Sequence, residues 1–234
     1  MGAKEYRDYL DADKGTIVEI FEQFSAPKLK KGSPTLVSPK EVIHVLNEWD
    51  DGSVLHIIPS RLELAWTLKN PTEKAELLPQ LLAKVSDKYD LIIIDCAPTE
   101  SMLSTAAYRS SRYIIVPVRP EFLATIGLPL LARSLEEFHM RHQDQTIEMA
   151  GILFNGKRRS NPSPEQDDSC KDVKKLASTY DWQVFKNEAY HSDSYPAGSR
   201  GSTPIFQTNY ARDYVKGEFK EVAKEFLQAV GLNQ

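Results

Sequence analysis

One aspartate has the most chemically suggestive position in this sequence. Residues 91–94 (Leu-Ile-Ile-Ile) form an unbroken aliphatic run, and Asp95 follows directly. Such a run is typical of a parallel strand buried on both faces, and open α/β sheets bind ligands at the carboxyl ends of such strands. A carboxylate there suits a Mg²⁺ ion held through water beside a nucleotide's phosphates, the Walker B role. The alternative is that Asp95 only caps the strand or the next helix.

Two groups of basic residues are candidates for contacts with nucleic-acid phosphates. They are Lys157, Arg158 and Arg159 in a predicted loop, and Lys216 and Lys220 on the last predicted helix. Phosphate contacts need only exposed cations, so short clusters of this kind can bind DNA without reading its sequence. The alternative is a solvated loop and the wet face of a helix, where intervening glutamates dilute the positive field.

Other motifs carry less chemistry. The stretch from Gly151 to Lys157 has the spacing of G-x₄-G-K, but position 158 is arginine instead of Ser/Thr, and Ile152–Phe154 belongs to a predicted strand. The five histidines lack metal-ligand spacing, and no Gly-x-Ser-x-Gly elbow occurs. The two cysteines lack CxxC spacing, which favours a reducing setting over a disulfide framework.

The elements that position these residues alternate between strands and helices. The predicted strands are 54–58, 91–94, 113–118, 148–154 and 182–185. The predicted helices are 17–24, 39–48, 61–68, 72–86, 100–109, 126–139, 169–180 and 210–230. Thr16 with Glu19 predicts a capping box at the first of them, and the helix over 72–86 has an apolar stripe of Leu77, Leu78, Leu81, Leu82 and Val85. Residues 25–38, 156–168 and 186–204 are predicted as loops or irregular segments. This alternation predicts an α/β fold with a mainly parallel sheet flanked by helices on both faces.

Composition is that of an ordinary globular protein. The 234 residues are 41% hydrophobic and 26% charged, with a net charge of −4. We therefore expect one domain over residues 1–234, with poor order in residues 1–15. The net charge does not indicate nucleic-acid binding, so any DNA contacts would come from a local basic patch. No run of 18 apolar residues predicts a membrane span, and a cytoplasmic protein is the default expectation.

Five segments, taken in order, resemble the ParA/MinD-type (deviant Walker) partitioning ATPases, a branch of the P-loop NTPases. Residues 89–98 (YDLIIIDCAP) are similar to the family's YDxIIIDxPP segment, with alanine in place of its first proline. The other similar segments are 55–65 (LxLIPSxxxLA-like), 113–128 (xxIPVxPExxxxxGL-like), 151–155, and 195–205 with the helix that follows.

The resemblance implies a role for each matching residue. Asp95 would order Mg²⁺ and its water as the catalytic carboxylate, and Pro98 would lie beside the nucleotide. Glu121 and Phe122 would lie by the nucleotide and the dimer interface, and Asn155 would face adenine.

The function that the resemblance implies is plasmid or chromosome partition. It includes ATP-dependent dimerisation, nonspecific DNA binding and hydrolysis stimulated by an adaptor protein of the ParB type. The basic loop and the last helix would meet DNA, and the protein would act in the cytoplasm or on the nucleoid.

One part of the family pattern is not found in the 234 residues, namely the KGGxGK[ST][ST] loop that wraps the phosphates. We therefore expect either the carboxyl-terminal portion of a longer ATPase or a protein that lost this loop, and enzyme activity stays undecided. Loss of the adjacent strand would leave an edge unpaired and apolar surface exposed. A nucleotide-free adaptor, a truncated ATPase fragment acting as a protein-interaction module, and a metabolic or redox relative are the alternatives.

Overall fold

A computed structural model describes residues 3–24, 36–68, 74–200, 203–209 and 211–232. They divide into two compact units, residues 3–111 and 112–234. The single domain over 1–234 stays a prediction. Residues 25–35 of the predicted loop over 25–38 lie outside the described residues, as does the predicted helix start at Thr72. Within the described ranges, no helix combines the length and apolar character that crossing a membrane requires.

The first unit contains six α-helices and one β-hairpin among its described residues. The helices are α1 (Ala3–Asp11), α2 (Ile17–Glu22), α3 (Pro39–Val42), α4 (Leu64–Thr67), α5 (Leu77–Leu82) and α6 (Met102–Ser110). Strands β1 (His44–Glu48) and β2 (Val54–Ile57) pair antiparallel. Short 3₁₀ turns cover Lys74–Glu76 and Ser86–Lys88. The sequence predicts poor order in residues 1–15, whereas the structure has helix α1 there.

Helix α2 begins at the capping box that the sequence predicts. The Thr16 hydroxyl accepts a hydrogen bond from the Val18 N–H at 3.2 Å, and the Thr16 N–H donates to Glu19 Oε2 at 2.6 Å. Arg61 also donates to the Glu19 carboxylate. Burial raises the pKa of Glu19, but the hydrogen bonds from Thr16 and the nearby Arg61 charge outweigh it, so the pKa lies below its ordinary value. The charged carboxylate therefore stabilises this helix start.

The core of the first unit forms around α2 and α5. Ile20 and Phe21 are almost completely buried, as is Val42 from α3. The predicted apolar stripe on α5 and the turn after it is confirmed, because all of its members are buried: Leu77, Leu78, Leu81, Leu82 and Val85.

The prediction of a helix over 39–48 is wrong beyond Val42. Ile43 is extended (φ −94°, ψ 123°), and His44–Glu48 form strand β1. Its pairing partner is Val54–Ile57, after the Asp51–Gly52 turn. The hairpin contact overrides the local helical pattern, because each strand supplies the other's backbone hydrogen bonds.

The predicted buried strand over 91–94 is also wrong. Among the described residues, the segment forms no ladder and belongs to no strand. Leu91, Ile92 and Ile93 are 39%, 39% and 73% exposed, and only Ile94 packs against the core of the first unit. A buried parallel strand needs neighbours on its edges and covers on its faces, and the described part of this unit supplies neither in full.

The second unit contains a three-stranded parallel sheet with the order β3-β4-β5. The strands are β3 (Tyr113–Val118), β4 (Glu148–Lys157) and β5 (Ala189–Tyr190), and both pairings are parallel. The helices are α7 (Phe122–Arg141), α8 (Pro164–Thr179), α9 (Ser194–Arg200) and α10 (Asp213–Ala229). The structure therefore confirms β3 with the bounds that the sequence predicts.

Helices cover both faces of this sheet, as the α/β prediction requires. Ile152 and Phe154 of β4 pack with Leu128 of α7 and with residues of α8. Leu153, between them, packs with Val222 of α10 on the other face. This alternation follows from the period of two along a strand. The fold class, a mainly parallel α/β sheet flanked by helices, is confirmed.

Several bounds in the second unit differ from the prediction, including the start of α7 at Phe122 instead of 126 and the end of β4 at Lys157 instead of 154. Helix α8 begins at Pro164, not at 169, because Ser163 accepts a hydrogen bond from the Gln166 N–H and proline fits the first turn. The segment 186–204, predicted as irregular, contains β5 and α9. Of the predicted strand over 182–185, Val184 forms an isolated parallel bridge to Ile152.

Candidate functional site

The carboxyl edge of the parallel sheet gathers polar residues from two strands. Val118 pairs with Phe154, so the residues that follow β3 and the end of β4 lie at the same edge. Arg119 Nε is 3.3 Å from Glu121 Oε1. A Cβ atom placed on Gly156 would lie 3.6 Å from the same Arg119 nitrogen. This is the edge at which open α/β sheets bind their ligands.

Asn155, Glu121 and Phe122 are all exposed at this edge. Asn155 follows the fully buried Phe154 and pairs with Ala189 of β5. Glu121 precedes the first turn of α7, and Phe122, the first residue of that helix, is 63% exposed. The side chains are thus accessible for contact with a ligand or a second protein. Their roles beside a nucleotide stay predictions.

Arg119 is a residue of this edge that the sequence reasoning passed over. It lies between the end of β3 and Glu121, inside the segment that resembles the family. Its position directly after a predicted buried strand was a signal of the kind that singled out Asp95.

Asp95 and Pro98 belong to the first unit, and both are exposed. The cap of the following helix is Ser101, whose hydroxyl accepts a hydrogen bond from the Ser104 N–H at 3.3 Å. Asp95 therefore does not cap α6. No ion pair to its carboxylate is found within the described ranges.

Lys157 is already paired with a carboxylate. Its ammonium lies 3.1 and 3.0 Å from the two oxygens of Glu188, and the two side chains are only 21% and 14% exposed. Burial lowers the pKa of Lys157, but the hydrogen bond and charge of Glu188 outweigh it and raise the pKa above its ordinary value. A DNA phosphate would have to displace Glu188 to reach this ammonium.

Arg159 is similarly engaged. Its guanidinium carbon lies 4.6 Å from the ring centre of Tyr190 and 4.7 Å from that of Tyr214, and it pairs with Glu218. This combination of cation–π contacts and an ion pair ties the loop after β4 to α10. The contact with Glu218 raises the pKa of Arg159, so the guanidinium stays charged.

The remaining basic candidates are less constrained. Arg158 is exposed, and its backbone N–H donates to Gln166 at 3.1 Å. On α10, Lys220 is exposed and Lys216 is half-buried. In the described ranges neither lysine forms an ion pair, whereas Lys224 pairs with Glu221 at 2.7 Å. The structure brings Lys157–Arg159 together and leaves the DNA-binding role of all five predicted residues a prediction.

The residues present fit part of an ATP–Mg²⁺ site. No cluster of three or more potential metal ligands occurs in the described part of the chain, but Mg²⁺ beside a nucleotide needs only one or two carboxylates in addition to phosphates. Asp95 meets that requirement. The triphosphate is different: Gly151–Lys157 lies within β4 instead of forming a glycine-rich loop, and position 158 is arginine. These residues do not fit a triphosphate by themselves.

Comparisons with known proteins place the chain in a family. The family model described as an AAA domain matches residues 17–149, more than half of the chain, including Asp95. The ParA family protein of Chlamydia pneumoniae is 29% identical over 131 residues, which cover 54% of this chain and 51% of the relative. The sporulation initiation inhibitor protein Soj of Bacillus subtilis is 31% identical over 103 residues, covering 43% and 40%.

A third relative, the chromosome-partitioning ATPase Soj of Treponema pallidum, is 27% identical over 103 residues, covering 43% of this chain and 40% of the relative. The aligned part spans about half the length of the first curated relatives that the chain matches.

Known structures support the fold. Apo McdA of Cyanothece superposes with a TM-score of 0.67 at 17% identity, covering 94% of this chain and 79% of McdA. The pNOB8 ParA bound to nonspecific DNA superposes with a TM-score of 0.54 at 13% identity, covering 100% of this chain and 83% of that protein. At these identities the likeness concerns the fold alone. The family match over more than half of the chain, with the curated relatives above, shows that the chain belongs to the AAA-domain family of ParA-type partitioning ATPases.

Proposed function

We propose that this chain acts as a ParA-like protein in plasmid or chromosome segregation. The family match over residues 17–149 supports the proposal, and one relative is named for chromosome partitioning. In this proposal the protein works in the cytoplasm, dimerises with ATP and Mg²⁺, binds DNA nonspecifically and responds to an adaptor of the ParB type.

The observation that carries the proposal is the position of Asp95 inside the family match. Its carboxylate is exposed, does not cap α6 and follows an apolar run similar to the family's Walker B segment. Such a carboxylate can hold Mg²⁺ through water, and the bound ion neutralises phosphate charge. Asn155 faces the base in this proposal, and Glu121 and Phe122 lie beside the nucleotide and the dimer interface. Because the 234 residues contain no phosphate-wrapping loop, the proposal includes no hydrolytic step by this chain alone.

Calorimetric titration with Mg-ATP tests the nucleotide claim. We expect heat that depends on Mg²⁺ and an affinity about tenfold or more lower in Asp95→Asn, because a ligand that orients the ion has been removed. Asp90→Asn is the matched control, since Asp90 is an exposed aspartate at the other end of the same run. The absence of heat at millimolar nucleotide would remove ATP binding by this chain from the proposal.

DNA retardation at several salt concentrations tests the second claim. Replacing Lys216 and Lys220 with glutamine should reduce the slope of log K against log salt by about 1.8, because each phosphate contact contributes about 0.9. Lys171→Gln with Lys175→Gln is the control, because both lysines lie exposed on α8 with the same spacing. An equal effect of both pairs would mean that α10 contributes only general charge.

Exposed apolar residues favour a second candidate function, a nucleotide-free adaptor or protein-interaction module. Leu91–Ile93 are exposed in the first unit, and Phe122, Leu123 and Leu130 are 63%, 72% and 62% exposed on α7 in the second. Contiguous exposed apolar surface is typical of protein-binding sites. Silent calorimetry, combined with binding of a partition adaptor, would favour this candidate over an ATP-dependent switch.

A further inference from the structure

The guanidinium of Arg159 is held in place by two aromatic rings. Its central carbon lies 4.6 Å from the ring centre of Tyr190 and 4.7 Å from that of Tyr214. Tyr190 belongs to β5 and Tyr214 to the first turn of α10, so the two rings come from separate elements. Cation–π contacts hold a guanidinium through its face and leave its N–H groups available. The N–H donors of Arg159 therefore stay oriented when the anion that they contact is exchanged.

That anion is the carboxylate of Glu218. Arg159 Nη2 donates a hydrogen bond to Glu218 Oε1, and the two side chains are 43% and 25% exposed. Glu218 lies four residues after Tyr214 on α10, so both side chains project from the same face of the helix. Water reaches this ion pair, and partly exposed pairs of this kind contribute little stability. A competing anion can therefore replace Glu218 at small cost.

The neighbouring ion pair, between Lys157 and Glu188, is much harder to open. Its side chains are only 21% and 14% exposed, and the ammonium contacts both carboxylate oxygens. The hydroxyl of Tyr190 also forms a hydrogen bond with Glu188. Opening this pair would leave a poorly solvated carboxylate without its cation, which is costly. The pair of Lys157 is therefore structural, whereas the pair of Arg159 is exchangeable.

We propose that Arg159 is a phosphate-binding site that Glu218 closes when DNA is absent. A DNA phosphate replaces the Glu218 carboxylate, and the guanidinium keeps its place on the two tyrosine rings. The planar guanidinium presents its N–H donors as a fork, which matches two oxygens of one phosphate. Arg158, the preceding residue, is exposed and adds a second cation beside the site.

This inference rests on the DNA binding in the proposed function and adds its regulation. Glu218 competes with every anion for Arg159, so a single weakly held anion gains little there. A nucleic acid brings many phosphates to the loop at once, and this high local concentration favours exchange. The carboxylate thus makes the site selective for polyanions.

Replacing Glu218 with glutamine removes the competing charge. Glutamine keeps the length of the side chain and an oxygen that can accept a hydrogen bond from Arg159. In DNA retardation with the full 234-residue chain, we expect Glu218→Gln to bind about two- to fivefold more tightly. The slope of log K against log salt should become steeper by about 0.9, because the phosphate no longer displaces a carboxylate that takes up a cation.

Two further variants assign this gain to Arg159. Glu221→Gln is the matched control, since Glu221 is 54% exposed on the same helix and pairs with Lys224 at 2.7 Å. Its substitution removes the same charge and also frees a cation, yet it should leave the salt slope unchanged. In Glu218→Gln combined with Arg159→Gln, the gain should disappear. An equal gain in Glu221→Gln, or a gain that survives Arg159→Gln, would overturn the proposal.

A titration with pyrophosphate tests the site without DNA. The side-chain Nε–H resonance of Arg159, identified by its loss in Arg159→Gln, reports anion binding in nuclear magnetic resonance. The half-saturating pyrophosphate concentration should be about two- to fivefold lower in Glu218→Gln than in the wild type, and unchanged in Glu221→Gln. Equal half-saturation in Glu218→Gln and the wild type, or no response of Arg159 in either, would refute closure by Glu218.

The two measurements separate this inference from the proposed function. If no variant retards DNA but Glu218→Gln gains affinity for pyrophosphate, DNA binding is removed from the proposed function and the phosphate site closed by Glu218 stands. If the wild type retards DNA and Glu218→Gln changes neither measurement, the proposed function stands and this inference fails.

Discussion

Replacing Lys157 with methionine separates a structural role for this residue from contact with DNA. Lys157 and Glu188 form a two-oxygen contact at 3.0 and 3.1 Å, with 21% and 14% of their side chains exposed. Methionine keeps the apolar stem and removes the charge, so the poorly solvated Glu188 loses its cationic partner. The perturbation thus acts on one interaction and changes the packing very little.

The expected cost lies between two limits. Breaking a fully buried ion pair costs about 3–5 kcal/mol, and an exposed pair contributes about 1 kcal/mol or less. Because this pair is mostly but not fully buried, we expect Lys157→Met to lower the free energy of unfolding by about 2–3 kcal/mol. Adding Glu188→Gln should recover part of that loss, since the isolated carboxylate is then neutral.

Urea denaturation followed by circular dichroism measures this free energy. Lys171→Met is the control, because Lys171 is 74% exposed and pairs with Asp168 across one helical turn. DNA retardation is measured on the same proteins. If Lys157→Met keeps wild-type stability and instead reduces the salt slope of DNA binding by about 0.9, the reasoning from Glu188 is refuted.

The same pair predicts a pH dependence. Glu188 raises the pKa of Lys157 above its ordinary value of 10.5. The folded state therefore holds this proton more tightly than the unfolded state, and the stabilisation is complete below pH 10.5 and lost as the pH rises through the folded-state pKa. On going above pH 10.5, the wild type should lose more stability than Lys157→Met. Parallel pH profiles of the two would contradict this.

Three further predictions concern local structure and are measured by denaturation. Thr16→Ala should lower the free energy of unfolding by about 1 kcal/mol, because it removes the cap of α2, whereas Thr125→Ala, at a half-buried threonine whose hydroxyl bonds within its own helix, should cost less. Glu19→Gln should reduce the loss of stability that occurs as the pH falls below 4.5. Because the pKa of Glu19 is lowered in the folded state, the contribution of its carboxylate is present above pH 4.5 and is lost as the pH falls through the folded-state pKa. Gly151→Ala should lower the free energy of unfolding by about 2 kcal/mol or more, because φ is +149° and the new Cβ would lie 2.7 Å from Phe185 Cδ1. Its control is Gly127→Ala, where the new Cβ meets open space on α7 and the change should be neutral or stabilising.

Features that depend on neighbouring residues were predictable from the sequence. The capping box at Thr16 and the strand Tyr113–Val118 are examples, and so is the buried stripe of α5. The start of α8 at Pro164 was equally local, since Ser163 and a first-turn proline mark it, but the surrounding polar composition outweighed that signal in the prediction.

Features that depend on distant residues were not predictable. The partner of β1 appears only after a turn, and the carboxylates that hold Lys157 and Arg159 lie 31 and 59 residues away along the chain. The basic loop therefore looked free in the sequence when two of its three cations are paired. Leu91–Ile93 were predicted as buried because their composition is right, but burial requires neighbours that composition cannot supply.

The division into two units has a consequence for how the chain folds during synthesis. Each unit is a continuous stretch, residues 3–111 and 112–234, so the sheet of the second unit closes loops only within its own stretch of chain. Short closures cost less entropy and favour fast folding. The first unit can therefore fold while the second is still being translated. During that time the exposed residues Leu91–Ile93 are accessible to chaperones, which recognise exposed aliphatic side chains.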